Sequence, residues 1–133
     1  MFRIIEVNGE KIELTANSAT GLVYKQVFRE ELQSELVSLD IKELKKIKGK
    51  KAEEIGEKDQ KRLLDLLEVV IKLGFVMVTM NKPFKDYWAK TTYNDYVEWR
   101  AEHESSMFTN QEFVAGVLGL YKDEQATTST PKN

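Results

Sequence analysis

The sequence contains no cysteine and only one histidine, and these shortages exclude whole classes of site. Without cysteine the chain can form no disulfide, no thiolate nucleophile and no thiolate-bound metal. His103 alone cannot make a two-histidine metal motif, and its neighbours Glu102 and Glu104 point away from it on a helix. We therefore predict no metal site, no cofactor and no catalytic residue, and we interpret His103 as exposed and without a functional role.

The chain also lacks the short motifs that mark common enzymes. It has no Gly-X-Ser-X-Gly, no glycine-rich nucleotide loop and no Asp-X-Asp pair. Its net charge is −2, so no overall field attracts nucleic acid or anionic lipid. These absences favour a binding or assembly protein, and we predict that the chain is not an enzyme. If it were one, carboxylates such as Glu98 and Glu102 would be the candidates.

No targeting or membrane segment is recognisable. The residues from Met1 to Val7 are too few and too charged for a signal peptide. No uncharged run approaches the roughly 20 apolar residues that span a bilayer. With 133 residues, 41% of them hydrophobic and 32% charged, the composition is typical of one soluble domain. We expect a cytoplasmic protein.

The stretch from Leu63 to Met80 is the most apolar part of the chain, with apolar residues on every side of a helical wheel. A helix of this kind belongs in the centre of a domain. Asp59 is suited to be its N-cap, and Asn81 with Pro83 is a stop signal. Two shorter elements with a break at Gly74 are the alternative, but the length and the Leu-rich start favour one helix.

A β-hairpin is predicted at the N-terminus. Asn8-Gly9 lies between two apolar runs, and this dipeptide is the strongest short hairpin signal because both turn positions need positive φ. Ile4, with the opposing Ile12 and Leu14, predicts the apolar face. An isolated hairpin is marginal in water, so this one must pack on the helices or pair with another chain through its edge.

Helical periodicity marks most of the remaining chain. The segments are Ala19 to Phe28, Leu32 to Leu39, Ile41 to Ile47, a helix capped by Thr92 or Asn94 that runs toward Glu102, and Phe113 to Tyr121. Gly116 and Gly119 in the last segment would allow close approach of another helix. The predicted fold is mainly α with a small N-terminal β-hairpin (α+β), in which about five helices pack around a buried central helix.

One globular domain is predicted over residues 1–122. Residues 123–133 have no apolar anchor, so we predict that they form a disordered C-terminal tail.

Two further segments leave more than one interpretation open. Phe84, Tyr87 and Trp88 would group on one helical turn, where they are either core or anchors for a partner. The basic run from Lys48 to Lys51 is either a contact for phosphate or an acidic partner, or a solvated helix end, which the acidic residues after it favour. The alternative function is therefore a small regulatory or adaptor domain that binds another protein, or DNA through Lys42 to Lys51.

A series of residues after the hairpin follows the pattern of a known family. The residues that fit are Thr20, Tyr24, Lys25, Phe28 and Leu32. In this pattern the chain resembles the tail assembly chaperones of long-tailed phages and prophages. Arg29 stands where glycine is common in the family, and Glu31 where aspartate is common. Val69 to Met80, the acidic segment around Trp99 and the last apolar helix are similar to later parts of the same pattern.

The resemblance implies a function in assembly without catalysis. Proteins of this family coat the helical tape-measure protein, keep it soluble and are displaced when the tail tube polymerises. The expected partners are the tape-measure protein, the tail-tube protein and a second copy of the chain, with no membrane and no nucleic acid. The resemblance also implies a longer product, made by translational frameshifting, that would continue from the polar tail.

A chaperone for an apolar helix needs a groove with apolar and aromatic anchors. We predict that the partner is bound by a face of the last helix or by the hairpin edge. The residues of that face are Phe113, Val117, Leu120 and Tyr121. By the resemblance, the residues with a packing role are Thr20, Tyr24, Phe28, Leu32 and Trp99.

Overall fold

The computed structural model describes residues 1–39, 55–81 and 89–129 of the 133. The predictions for the helix at Ile41 to Ile47, for the basic run at Lys48 to Lys51 and for the aromatic group around Tyr87 lie outside the described residues.

Within these ranges the chain forms a two-stranded antiparallel hairpin followed by six helices. The strands are β1 (Phe2–Val7) and β2 (Glu10–Thr15). The helices are α1 (Thr20–Phe28), α2 (Leu32–Leu39), α3 (Glu57–Met80), α4 (Tyr93–Ala101), α5 (Ser105–Thr109) and α6 (Gln111–Ser129). The predicted fold class, mainly α with a small N-terminal hairpin, is confirmed. None of the helices in the described ranges combines the length and the apolarity needed to cross a bilayer.

Helix α3 is the continuous central helix that the sequence predicts, and it does not break at Gly74. A Cβ added at Gly74 would lie 2.6 Å from Cζ of Phe113, so glycine is needed there to let α6 pack closely. The helix starts with Gly56 as N-cap, which makes the prediction of Asp59 in that role wrong, and it ends at Met80 as predicted. Burial is nearly complete only from Val69 onward, where the hairpin, α1, α2 and α6 surround the helix.

The hairpin turns at Asn8 and Gly9, whose φ angles of 52° and 81° are those of the predicted tight turn. The buried residue of β1 is Ile5, opposite Ile12, whereas Ile4 is 52% exposed opposite Glu13. The prediction of Ile4 on the apolar face is therefore wrong. Two adjacent isoleucines leave the period-2 pattern ambiguous, and contact with α6 selects Ile5.

The hairpin packs on two helices, with β1 against α6 and β2 against α3. Gly116 and Gly119 make the first contact possible. A Cβ at Gly116 would lie 2.6 Å from Cγ2 of Ile5, and a Cβ at Gly119 would lie 2.6 Å from Nη1 of Arg3. The close approach that these glycines allow is thus to a strand, and the close helix–helix approach of α6 occurs at Gly74.

Helix α6 continues to Ser129, so the prediction of a disordered tail from residue 123 is wrong for 123–129. Polar contacts hold this extension. Asp123 pairs with Arg3 at 2.8 Å, and Gln125 accepts a hydrogen bond from Gln33 at 3.3 Å. Glu124 is only 4% exposed. The prediction was wrong because it considered only apolar residues as anchors, whereas the contacts described here are polar. Residues 130–133 lie outside the described ranges.

Replacing Gly116 by alanine should destabilise the protein by about 1–3 kcal/mol, because the new methyl would force Ile5 or the β1 backbone to move. The matched control is Gly21→Ala, where the added Cβ meets nothing within 4 Å in a helix. That change should leave the free energy of unfolding unchanged or raise it by up to about 1 kcal/mol. Urea unfolding of both variants tests this, and equal effects would contradict the close contact.

Replacing Arg29 by glycine should raise the free energy of unfolding by about 0.5–1 kcal/mol. Arg29 ends α1 with φ 61° in the left-handed region, and its N–H donates to the carbonyl of Lys25 at 2.8 Å. This C-terminal position is the one that glycine favours. Arg29→Ala keeps the strained backbone and should give no gain. A glycine variant no more stable than the alanine variant in urea would refute the expectation.

Candidate functional site

The residues that carry the family resemblance lie together where α1, α2 and α3 meet. Thr20, Tyr24, Phe28 and Leu32 are all buried. The rings of Tyr24 and Phe28 are 5.0 Å apart, and Phe28 also contacts Phe75 of α3 at 6.4 Å. The packing role that the resemblance implies for these four residues agrees with their position. They serve the core, so they do not form a surface site.

Lys72 of α3 lies over this aromatic pair. Its Nζ is 5.7 Å from the Tyr24 ring centre and 5.3 Å from that of Phe28, and it is 3.5 Å from Glu30 and 3.7 Å from Glu35. The Tyr24 hydroxyl donates to Glu35 at 2.9 Å. Burial, with a smaller contribution from Glu30, strongly raises the pKa of Tyr24, so its hydroxyl stays protonated as a donor. The contacts within this cluster of Lys72, Tyr24 and Glu35 link helices α1, α2 and α3.

The face of α6 predicted to bind a partner is buried inside the protein. Phe113 and Val117 are fully buried against α3, Leu120 is nearly so, and Tyr121 is half-buried. The prediction of a partner-binding surface is therefore wrong for Phe113, Val117 and Leu120 in the folded chain, and for the half-buried Tyr121 it stays a prediction. Sequence periodicity identified an apolar face correctly, but it could not tell that α3 and β1 already cover it.

Besides a cleft of about 460 Å³ between the end of α1 and the start of α4, the described part has a concave surface between α4, the end of α3 and the hairpin. Two adjoining clefts of about 450 and 440 Å³ share Val78 and Trp99 in their walls. A third, of about 210 Å³, shares His103 and Met107 with the second. We call these three clefts together the acidic groove.

The acidic groove has an apolar floor and carboxylates in its walls. The main apolar residues are Ile12, Phe75, Val78, Trp99 and Met107. The acidic residues are Glu10, Glu13, Asp95, Glu98, Glu102 and Glu104. Two lysines, Lys11 and Lys90, also line it. Among the described lining residues, six acids against two lysines give a charge of −4 with His103 neutral, which is more negative than the −2 of the whole chain.

Helix α4 presents the acidic wall. Its start is fixed by a capping box in which Thr92 accepts from the Asp95 N–H and the Asp95 carboxylate accepts from the Thr92 N–H at 2.8 Å. Glu98 and Glu102 are four residues apart and therefore lie on one side of the chain as it leaves α4. Neither makes an ion pair within the described ranges, whereas Arg100 pairs with Glu68 at 2.6 Å.

Trp99 is held in place by neighbouring rings. Its ring centre is 5.5 Å from Phe75, 5.1 Å from Phe108 and 5.6 Å from His103. His103 is half-buried in this contact, so the prediction of an exposed histidine is wrong. The resemblance implies a packing role for Trp99, and these contacts agree with it, but its second position in the groove floor was missed. Two glutamates four residues apart, with a tryptophan between them, were the sequence signal for this wall.

The described residues contain no group of three or more side chains suited to bind a metal ion. Burial raises the pKa of Tyr24, Tyr96 and Tyr121, and none of these three lines the acidic groove. What the groove offers is shape, apolar surface and negative charge.

Comparison of the chain with known protein families, with curated protein sequences and with solved structures finds no match.

Replacing Lys72 by methionine should destabilise the protein by about 1–3 kcal/mol. Lys72 is 17% exposed in its side chain, and its loss removes a cation that faces two carboxylates and two rings. The effect stays below that of a fully buried pair because Glu30 is solvated. Lys61→Met, on an exposed part of the same helix, should change stability by less than about 0.5 kcal/mol. Thermal and urea unfolding test both, and equal small effects would contradict a stabilising role for the cluster.

Proposed function

We propose that this protein is a tail assembly chaperone of a long-tailed phage or prophage. It binds the tape-measure protein in the host cytoplasm and keeps it soluble until tail-tube subunits replace it, and it catalyses no reaction. The identity of the partner comes from the resemblance in sequence pattern. The structure contributes the kind of surface that such a task requires.

The observation that carries the proposal is the apolar floor of the acidic groove. Val78 and Trp99 are each only partly buried, and they lie between two clefts large enough to accept side chains of a partner. Apolar and aromatic anchors in a groove are the usual means of holding an amphipathic helix. Tryptophan is among the residues that dominate binding energy at interfaces.

Arg29 gives a second, independent support. It stands where glycine is common in the family pattern, and its backbone has φ 61°, a conformation that glycine adopts without strain. The family pattern therefore has glycine at the same position where the backbone conformation of this chain favours glycine. This agreement concerns main-chain geometry, so it does not depend on how the pattern's side chains pack.

A regulatory or adaptor domain that binds another protein is the second candidate, since the same groove would serve it. DNA binding has less support, because carboxylates in the walls of the groove repel phosphates. The basic run proposed for DNA contact lies outside the described residues. Glu98 and Glu102 do share a cleft, but the described residues contain no group of side chains suited to bind a metal ion there.

Co-expression with the tape-measure protein of the same genome tests the proposed function. We expect the soluble fraction of the tape-measure protein to rise in proportion to the amount of this protein, and the two to co-elute in size-exclusion chromatography. An unrelated aggregation-prone helical protein serves as the control and should stay insoluble. A tape-measure protein that remains insoluble and elutes separately at every ratio would overturn the proposal.

A further inference from the structure

We propose that the acidic groove binds an amphipathic helix that carries lysine or arginine on both sides of an apolar stripe. The inference gives the chemistry of the recognised segment, and it rests on the proposed function only for the identity of the protein that contains this segment. It is carried by the apolar floor, the charge of the walls and the fixed position of Trp99.

The floor of the groove is formed before any partner arrives. Trp99 contacts Phe75 and Phe108, both buried, so its ring has few alternative positions. A preformed anchor site loses little side-chain entropy on binding. The two larger clefts meet along Val78 and Trp99, so they can receive apolar side chains from successive turns of one helix.

The walls select the charge of the occupant. Glu98 and Glu102 have no ion-pair partner among the described residues, so their carboxylates are available to a cation from outside. Across the groove, Glu10 and Glu13 extend the negative lining along β2, and Glu13 accepts a hydrogen bond from Asn81 at 2.8 Å. A helix with basic flanks meets carboxylates on both sides, whereas an acidic helix meets like charge.

The arrangement of floor and walls favours a helix over an extended strand. The apolar floor lies between two acidic walls, so the occupant must present one apolar stripe with cations on both sides, as an amphipathic helix can. The side chains of a strand, in contrast, alternate between two opposite faces. An added strand would instead depend on the open edge of β2. Binding would then be insensitive to substitution of Glu98 and Glu102, which belong to the opposite wall.

Three labelled synthetic peptides of about five helical turns each test the inference on the full chain. The first has a leucine stripe flanked by lysines, the second has glutamate in place of lysine, and the third keeps the lysines but has serine in place of leucine. We expect only the first to bind well, at least about tenfold more tightly than the others. Its affinity should fall as sodium chloride rises from about 0.05 to 0.5 M, because salt screens exposed charges.

Several outcomes of this titration would overturn the inference. Equal binding of the lysine and glutamate peptides would mean that the walls do not select charge. Equal binding of the serine peptide would mean that the floor is not used. A lysine–leucine peptide with a central proline should bind weakly, since proline interrupts a helix. If it bound as well as the first peptide, the occupant would be an extended strand. Absence of binding by every peptide would also reject the groove.

Charge reversal locates the binding surface. The double variant Glu98→Lys with Glu102→Lys should weaken binding of the lysine–leucine peptide by at least about tenfold and improve binding of the glutamate peptide. The control is Glu31→Lys with Asp65→Lys, which changes the net charge by the same amount at exposed positions that line none of the three clefts. This control should stay within about threefold of the original protein in low salt.

Circular dichroism and urea midpoints establish that both double variants are folded. Equal losses in the two variants would place binding outside the groove and reject the inference. The two proposals fail separately. If the groove variant still solubilises the tape-measure protein, the assignment of the groove is wrong and the proposed function stands. If the peptides bind as expected and the tape-measure protein does not bind, the assignment of the groove is supported and the proposed function is wrong.

Discussion

The close packing of α6 against α3 at Gly74 is the contact on which the rest of the structure depends. Phe113 lies where a side chain at Gly74 would be, with Val117 beside it, and both are fully buried. The same helix brings Gly116 under Ile5 and so receives the hairpin. Two glycines on different helices thus let one helix join the central helix and the hairpin into a single core.

This arrangement also creates the acidic groove. The hairpin lies across α3 and α6, so β2 forms one wall beside the end of the central helix. Helix α4 forms the other wall and is held by ring contacts of Tyr96 and Trp99 with Phe75. Both walls rest on the buried half of α3, so the core of the protein sets the shape of this concave surface.

Polar contacts add to the apolar packing at two places in the structure. Lys72 fastens α1 and α2 to α3 through two carboxylates and two rings, and Asp123 fastens the end of α6 to Arg3. Each such contact contributes only modestly to the free energy of folding when it is exposed to water. The core therefore specifies the fold, and these contacts extend it. The polar lining of the groove is different, since Glu98 and Glu102 form no ion pair with any residue that the structure describes.

The sequence by itself determined the hairpin turn, the single central helix and the mainly helical class, because each depends on neighbours within a few residues. The Asn8-Gly9 dipeptide, which favours positive φ, is a local signal. So is the stretch that ends before Asn81 and has apolar residues on every side of its helix. Only the tertiary structure decided that Ile5 is buried and Ile4 exposed, that the Phe113 face is core, and that Glu98, Trp99 and β2 meet in one groove. Each of these outcomes depends on which surfaces of the fold cover one another. Residues far apart in the sequence have equally good local patterns, so the local pattern does not decide which of them becomes buried.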